Sequence, residues 1–410
     1  MKKIVVVTGM GGLSPIGNNT DEIWNNAKDG VCGIDEIKSI TLSNLPVYVS
    51  GEIKNFNPTD HMSKMQARRT SRFVQLALVG AKEAIIQSGI DFENEDPLRC
   101  GTNVSSGIGG LPNIEKEHYK GIEKGFDRIS PLFVPMSIAN MAAGLIAIEY
   151  GLKGSCTCIV TACASSTNAI GEAFRQIRDG YQDIMITGGS ESVMSDLGFS
   201  GFTSMRALSE SKDPTRASIP FDKERDGFVM GEGAGILVLE EYEHAVNRGA
   251  TILGEMVGYG VSCDAHHMTA PIEDGSGAAD CMTSAIMDAG LTPNDIGYIN
   301  AHGTSTPMND KCETAAIRLT FGDHANNLMI SSTKSMTGHM LGASGGVEAI
   351  LTLSALINKF APPTIGYKCP DEECDLNILP NQGKKISTEY AMSNSLGFGG
   401  HNASIIFRRI

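Results

Sequence analysis

The chain has 410 residues, 41% of them apolar, which is enough for a large buried core as one big domain or two. Its 33 basic and 47 acidic residues leave a net charge of −14, which disfavours nucleic acid and anionic membranes as general partners. The start, MKKIVVVTGM, has a short apolar run where a secretory signal needs roughly 7–15 residues. No uncharged stretch approaches the roughly 20 residues of a membrane span, so the expectation is a soluble, cytoplasmic protein without a membrane anchor.

In chain order, KKIVVV predicts a strand and TSRFVQLALVGAKEAIIQSG a helix that stops at Gly89. LRCGTNV predicts a second strand. Ile159-Val160-Thr161 reads as a buried strand running into Cys163, with small residues and a helix after it. DIMITGG and AGILVLE predict further strands, SGAADCMTSAIMDAG a helix stopping at Gly290, and IGYINA another strand. Strand–helix alternation of this kind indicates a layered α/β fold.

A short internal repeat runs through these elements. AIIQSGI, from Ala84, resembles AIMDAGL, from Ala285, and each leads into a strand and a Gly/Ser/Thr turn. GEAF, from Gly171, resembles VEAI, from Val347, and the same offset carried back to Cys163 falls on His339. Chance similarity is the alternative for strings this short. If the unit is used twice, a thiol opens one helix and an imidazole the other.

Ten cysteines are scattered through the chain, with no doubled C-x-x-C pattern, and CPDEEC (Cys369, Cys374) has no histidine nearby, so no metal site is expected. Nine read as reduced, buried hydrophobes. Cys163 differs: a strand, a tight turn and a helix start present a side chain at the top of a sheet. Unpaired N–H groups there favour a thiolate and can bind an oxyanion. The helix contributes only about 0.3–1 kcal/mol, less than one pKa unit, which suits thioester exchange better than peptide cleavage.

His302 ends a predicted strand in NAHGTSTPMND, beside Thr304 and Thr306. Lys334 ends another in STKSMTGHMLGASGGVEAI, which also places His339 near a helix start and Glu348 on that helix. The other seven histidines read as satisfied structure. In open α/β sheets chemistry gathers at the carboxyl ends of strands, where Cys163, His302 and His339 are expected to converge.

Taken together, VVVTGMGGLSPIG, TACASSTNAIGEA, DKERDGFVMGEGAG, NAHGTSTPMND, KSMTGHMLGASGGVEA and SNSLGFGGHNAS resemble the β-ketoacyl-acyl-carrier-protein synthases, and among them the elongating type II enzymes. The resemblance covers essentially the whole chain, and its departures, such as the opening MGGLSPIG, do not touch Cys163, His302 or His339. It implies an α/β thiolase fold with duplicated βαβαβ halves in five αβαβα layers. Residues 1–250 would form the half with the nucleophile and residues 251–410 the half with the histidine pair.

The resemblance also implies roles. Cys163 matches the acyl acceptor, His302 and His339 the histidine pair, and Lys334 the supporting lysine with Glu348 beside it. Phe398 matches a gate, and the backbone N–H groups of Cys163 and Phe398 an oxyanion hole. Ile108, Phe133 and Phe202 match positions around the acyl pocket. Thr269, Thr304 and Thr306 match contacts to the phosphopantetheine arm, and Glu348 is placed with these substrate contacts. Lys64, Arg68, Arg69 and Arg72, with no acid among residues 61 to 73, and Arg206 form a basic patch for an acidic acyl carrier protein. The implied reaction is decarboxylative condensation of a Cys-bound acyl chain with malonyl-acyl carrier protein, by a homodimer without a cofactor. A specialised polyketide-type ketosynthase or a thiolase-like acyltransferase is the alternative.

Other readings fit less well. A dinucleotide turn fails because Gly9-Met10-Gly11 is followed by Ser14 rather than glycine. A cysteine hydrolase needs Asn or Asp orienting one histidine. A non-catalytic partner subunit would lack Cys163. A biosynthetic thiolase needs a late CxG cysteine, which Cys369 and Cys374 do not provide. An initiating synthase pairs Cys and His with Asn, where this chain has TGHMLGASGG.

Overall fold

A computed structural model describes residues 2–42 and 44–410. One ten-stranded sheet runs through the molecule. Its strands are β1 (Val5–Leu13), β2 (Cys100–Ser105), β3 (Cys156–Thr157), β4 (Ile184–Glu191), β5 (Gly233–Glu241), β6 (Gly254–Cys263), β7 (Ile296–Asn300), β8 (Met329–Ser331), β9 (Tyr390–Gly397) and β10 (His401–Arg408). In space they lie in the order β8-β7-β9-β10-β6-β1-β5-β4-β2-β3. The first five therefore read 1-5-4-2-3 outward from the centre, and the last five read 6-10-9-7-8. The parallel and antiparallel pairings repeat as well: β1–β5 and β5–β4 are antiparallel, as are β6–β10 and β10–β9. The outer pairs of both halves are parallel. The register Val5–Val7 against Gly254–Met256 joins the two sets.

Six helices complete the repeat: α1 (Arg72–Ser88), α2 (Met141–Tyr150), α3 (Ser165–Arg178), α4 (Ser276–Asp288), α5 (Pro307–Phe321) and α6 (Ser344–Asn358). Each half runs β-α-β-α-β-α-β-β, a βαβαβ unit extended by a third helix and two antiparallel strands. α1 and α2 cover one outer face, α4 and α5 the other, and α3 with α6 lie between the two half-sheets. That is the five-layered αβαβα arrangement of the thiolase fold. α6 is buried from Ser344 to Leu356 on every side, as a helix in the middle layer must be. The window Leu341–Asn358 is apolar enough to resemble a membrane span, yet 89% of it lies inside the molecule.

Glycines set how closely the outer helices approach. A β-carbon on Gly9 would stand 2.0 Å from the Ala84 carbonyl oxygen, and one on Gly11 2.0 Å from that of Gly80. In the other half Gly258 meets the Ala285 carbonyl oxygen at 2.5 Å and Gly260 that of Cys281 at 2.1 Å. Thus β1 accepts α1 as β6 accepts α4, and AIIQSGI and AIMDAGL are the matching helix surfaces.

Two expectations are corrected. The stretch Ile159–Thr161 is not a buried strand. Pairing on this edge ends at Thr157, and Val160 is 54% exposed. The Ile159 N–H leaves the ladder for Ser105 Oγ at 3.1 Å, because the chain is already climbing into the turn before Cys163. The repeat register also differs. Ala162 and Leu341, both at φ +49°, open matching 3-10 turns that lead into Ser165 and Ser344. Asn103 and Asn300 donate to the fifth carbonyl of α3 and α6, at Ala169 and Glu348. Cys163 is therefore matched by Gly342, three residues past His339. GEAF and VEAI lie on matching helices but out of step.

The close approach of β1 to α1 yields a stability test. Gly11→Ala should cost about 1–3 kcal/mol, the usual range for overpacking, read as a lower urea midpoint at unchanged m-value. Gly201→Ala, at an exposed position of the helix Asp196–Ser204 with nothing within 4 Å, should gain about 0.5–1 kcal/mol. Equal effects at both positions would contradict the packing account.

Candidate active site

The thiol sits on a strained corner. Ala162 holds a left-handed conformation that costs a non-glycine residue about 1–2 kcal/mol. Ser165 Oγ locks the turn, accepting the Thr161 N–H at 3.0 Å and donating to the Ala162 carbonyl at 2.6 Å. The backbone N–H groups of Cys163 and of Phe398, on the turn after β9, lie near enough to the sulfur to favour its anionic form. Gly397 makes this approach possible, since a β-carbon there would stand 2.7 Å from the Thr161 carbonyl oxygen.

Cys163 opens onto a cavity of about 440 Å³. His302, His339, Phe202, Phe398, Arg206, Thr269, Thr304 and Thr306 line it too. The two imidazoles meet edge to face, centroids 5.3 Å apart at 85°. Thr304 and Thr306 share a hydroxyl hydrogen bond of 2.9 Å. Three distant stretches of chain thus bring the sulfur and both rings to one wall.

Behind this wall Lys334 is wholly buried, with Nζ 3.4 Å from His302 Nδ1 and ion-paired to Glu348. An ammonium only donates, so Nδ1 of His302 must accept, which puts its proton on Nε2. His339 Nδ1 meets Ser344 Oγ at 3.0 Å, and donation by that hydroxyl gives the same tautomer. Burial, the Lys334 charge and His339 hold the His302 pKa well below the ordinary imidazole range; burial and Lys334 do the same for His339. Both are neutral rings that donate and resist protonation.

The thiol behaves differently from the expectation that its helix start favours a thiolate. Burial pushes Cys163 up to about 12, and Glu191 adds to that. Lys334 and the two N–H groups pull the other way without overcoming it. The resting sulfur is a thiol, because desolvating an anion outweighs the small helix-terminus term.

Some anticipated residues stand elsewhere. Glu348, placed with the substrate contacts by the resemblance, is 1% exposed, stands outside the cavity lining and is ion-paired to Lys334. Ile108 and Phe133 lie outside the cavity of the single chain, Ile108 in an exposed turn and Phe133 at the start of the helix Phe133–Ser137. Lys64, Arg68 and Arg69 are exposed on the helix Lys64–Arg69, and Arg206 is exposed at the cavity rim. Arg72 leaves the basic patch: it grips the buried Glu232 through two hydrogen bonds of 2.6 Å and stacks over Phe56.

Sequence reasoning missed the supports of the histidines. Phe228 packs edge-on against His339 at 5.2 Å, and the Val229 carbonyl accepts the His339 N–H at 2.7 Å. Both lie in DKERDGFVMGEGAG, whose position between strands was the available signal. Glu313 accepts the N–H groups of His302 and Gly303 at 2.8 Å each, and burial raises its carboxyl to about 7.

A thiol, two neutral N–H donors and a pair of backbone donors around one narrow cavity define a site for acyl transfer and enolate stabilisation. Residues 2–245 match the N-terminal domain of β-ketoacyl synthases, and residues 253–368 their C-terminal domain. The chain belongs to the β-ketoacyl synthase family. It is 50% identical over 407 residues to the 3-oxoacyl-[acyl-carrier-protein] synthase 2 of Staphylococcus aureus strain N315, covering 99% of this chain and 98% of that protein. It is 48% identical over 409 residues to the protein of the same name from Synechocystis, with 100% and 98% covered. A solved ketosynthase from a type II PKS, in complex with its acyl-carrier protein, superposes with a TM-score of 0.93 at 34% identity over the whole of both chains. A β-ketoacyl synthase from Burkholderia phymatum superposes at 0.92 with 35% identity, again over the whole of both.

The neutral pair has a direct test. In histidine-labelled NMR spectra, the two signals lost in His302→Ala and His339→Ala should not titrate between about pH 8 and pH 6, where an ordinary imidazole passes its midpoint at about 6.5. A midpoint near 6.5 for either signal would contradict the assigned electrostatics.

Proposed function

We propose that the protein is a 3-oxoacyl-[acyl-carrier-protein] synthase that lengthens fatty acyl chains by two carbons. The observation that carries this reading is the contact of Lys334 with His302 Nδ1 beside the cavity of Cys163: it commits the ring to present Nε2–H, as a developing enolate requires. In the first half-reaction Cys163 Sγ attacks the acyl thioester. The oxyanion sits between the N–H groups of Cys163 and Phe398, the bond to the carrier sulfur breaks, and the thiol proton leaves with that sulfur. In the second, malonyl thioester loses carbon dioxide by cleavage of its C–C bond. The resulting enolate oxygen accepts hydrogen bonds from His302 and His339. Its carbon attacks the acyl-Cys carbonyl, the bond from the acyl carbon to Cys163 Sγ breaks, and the released thiolate takes a proton from solvent.

The remaining surfaces fit this reading. Lys64, Arg68 and Arg69, with Arg206 at the rim, offer positive charge to an acidic acyl carrier protein, and Thr269, Thr304 and Thr306 offer hydrogen bonds along its pantetheine arm. Ile108, Phe133 and Phe202 shape the acyl pocket, the first two in a homodimer. The edge beside β3 supports the dimer: Val160, just past β3, and Ile148, on the α2 helix packed against it, are exposed, and the Gly110 N–H ties the Ile108 turn to the Ser137 carbonyl at 3.0 Å. We read the halves as 1–250 and 251–410 and the protein as cytoplasmic. Relatives at 48–50% identity favour the fatty-acid reading over the polyketide one, for which the type II PKS ketosynthase and the ishigamide ketosynthase match at 34% and 32%.

One assay tests the whole. His302→Ala and His339→Ala should each lower condensation about 10²–10³-fold, the worth of one oxyanion-type donor, while mass spectrometry still finds the acyl group on Cys163. Arg68→Glu with Arg69→Glu should raise KM for carrier-bound substrate and spare pantetheine analogues. Intact condensation in both histidine variants, or equal loss on both substrate types, would overturn the respective assignment.

A further inference from the structure

The reading above uses only Cys163 from the segment TACASSTNAIGEAFR, although Asn168, Gly171 and Arg175 lie on one face of α3. All three converge on Tyr259, a side chain of β6 from the other half of the fold, 2% exposed. A β-carbon on Gly171 would stand 2.3 Å from the Tyr259 ring, so this helix glycine exists to admit the ring. The Arg175 guanidinium lies 4.4 Å above the ring's centroid. The Tyr259 hydroxyl donates to Asn168 Oδ1 at 2.6 Å, and Asn168 Nδ2 donates to Thr161 Oγ1 at 2.7 Å. Thr161 is the residue before the strained Ala162 and two before the nucleophile.

We propose that Asn168, its amide fixed by the Tyr259 hydroxyl, is a positioning residue that holds the Cys163 turn in its attacking orientation through Thr161. Three observations make this more than packing. A non-glycine residue at φ +49° persists only where its surroundings over-determine it. Ser165 fixes the backbone on both sides of Ala162, but its bonds lie within the same turn and cannot set the turn's angle to the sheets. The Tyr259–Asn168–Thr161 chain supplies that external reference, and it starts from β6, the strand that joins the halves. It aligns the sulfur with the half that carries both histidines. Tyr259 and Asn168 are buried and Thr161 is half-buried, so removing the Tyr259 hydroxyl leaves the Asn168 amide oxygen without its partner and the amide free to turn.

The proposal rests on Cys163 being the acyl acceptor, and its test separates the two. Acylation of Cys163 by an acyl-pantetheine thioester is followed in a single turnover by mass spectrometry, for the full chain and for Tyr259→Phe, Thr161→Val, the double variant and Thr161→Ser. Tyr259→Phe and Thr161→Val should each slow acylation about tenfold, the scale of a small misplacement at a reacting centre. The double variant should be no slower than either single one, because both break one chain. Thr161→Ser, which keeps the hydroxyl, should retain the parent rate, and Tm should not follow the same ranking. Rates within twofold of the parent, a double loss near the product of the single ones, or a rate that merely tracks Tm would overturn the proposal. Absence of acyl-Cys163 in the parent would refute the premise itself.

Discussion

The two middle helices meet at their amino-terminal ends with almost no side chain between them, and the site depends on that contact. A β-carbon on Gly345 would fall 2.0 Å from Thr167 Oγ1, and the Gly346 N–H donates to Ser166 Oγ at 2.9 Å. Thr167 reaches on to Ser395 in β9 at 2.7 Å. Because α3 and α6 occupy equivalent places in two equivalent halves, this contact brings two strained 3-10 turns to the same end of the middle layer. One turn carries Cys163. The other carries Leu341 and Gly342, directly after His339. A duplicated scaffold thereby becomes an asymmetric site, with the thiol from one copy and the imidazoles and ammonium from the other.

Burial then sets the electrostatics. A dry site raises the thiol and lowers both imidazoles, and the buried ammonium of Lys334 beside them is already neutralised by Glu348. Each resting group is therefore neutral where charge must later develop. Negative charge that appears on a substrate oxygen finds fixed N–H donors at distances set by the fold, with little solvent to reorganise. The same logic explains why carboxylates stay behind the wall. Glu313 and Glu191 accept backbone N–H groups, and Glu191 the Ser106 hydroxyl as well, and neither lines the cavity.

Much of this was legible in the chain. Apolar and β-branched runs marked β1, β2, β4, β5 and β7 of the central sheet, and the glycines after α1 and α4 marked where those helices stop. Cys163, His302 and His339 each stood at an element end, the pattern by which α/β proteins gather chemistry. What the sequence hid was tertiary. Ile159-Val160-Thr161 has strand composition, yet it follows the edge strand β3, whose pairing ends at Thr157. The local match of GEAF to VEAI suggested a register that the paired turns at Ala162 and Leu341 displace by three residues. Glu348 looked like a ligand-facing acid because nothing in the string shows that Lys334 would be buried and need a counter-ion. Arg72 looked free because Glu232, its partner, lies far along the chain. The thiol's high pKa was hidden for the same reason: desolvation depends on everything that packs around a residue.

The central claim is spatial, and a bifunctional alkylating agent tests it most directly. Treated with 1,3-dibromoacetone, the native protein should yield a Cys163–His302 or Cys163–His339 cross-link, identified by tandem mass spectrometry and abolished by prior acylation of the thiol. Alkylation of Cys163 with the second arm joined only to water, or to a residue outside the histidine pair, would contradict the arrangement.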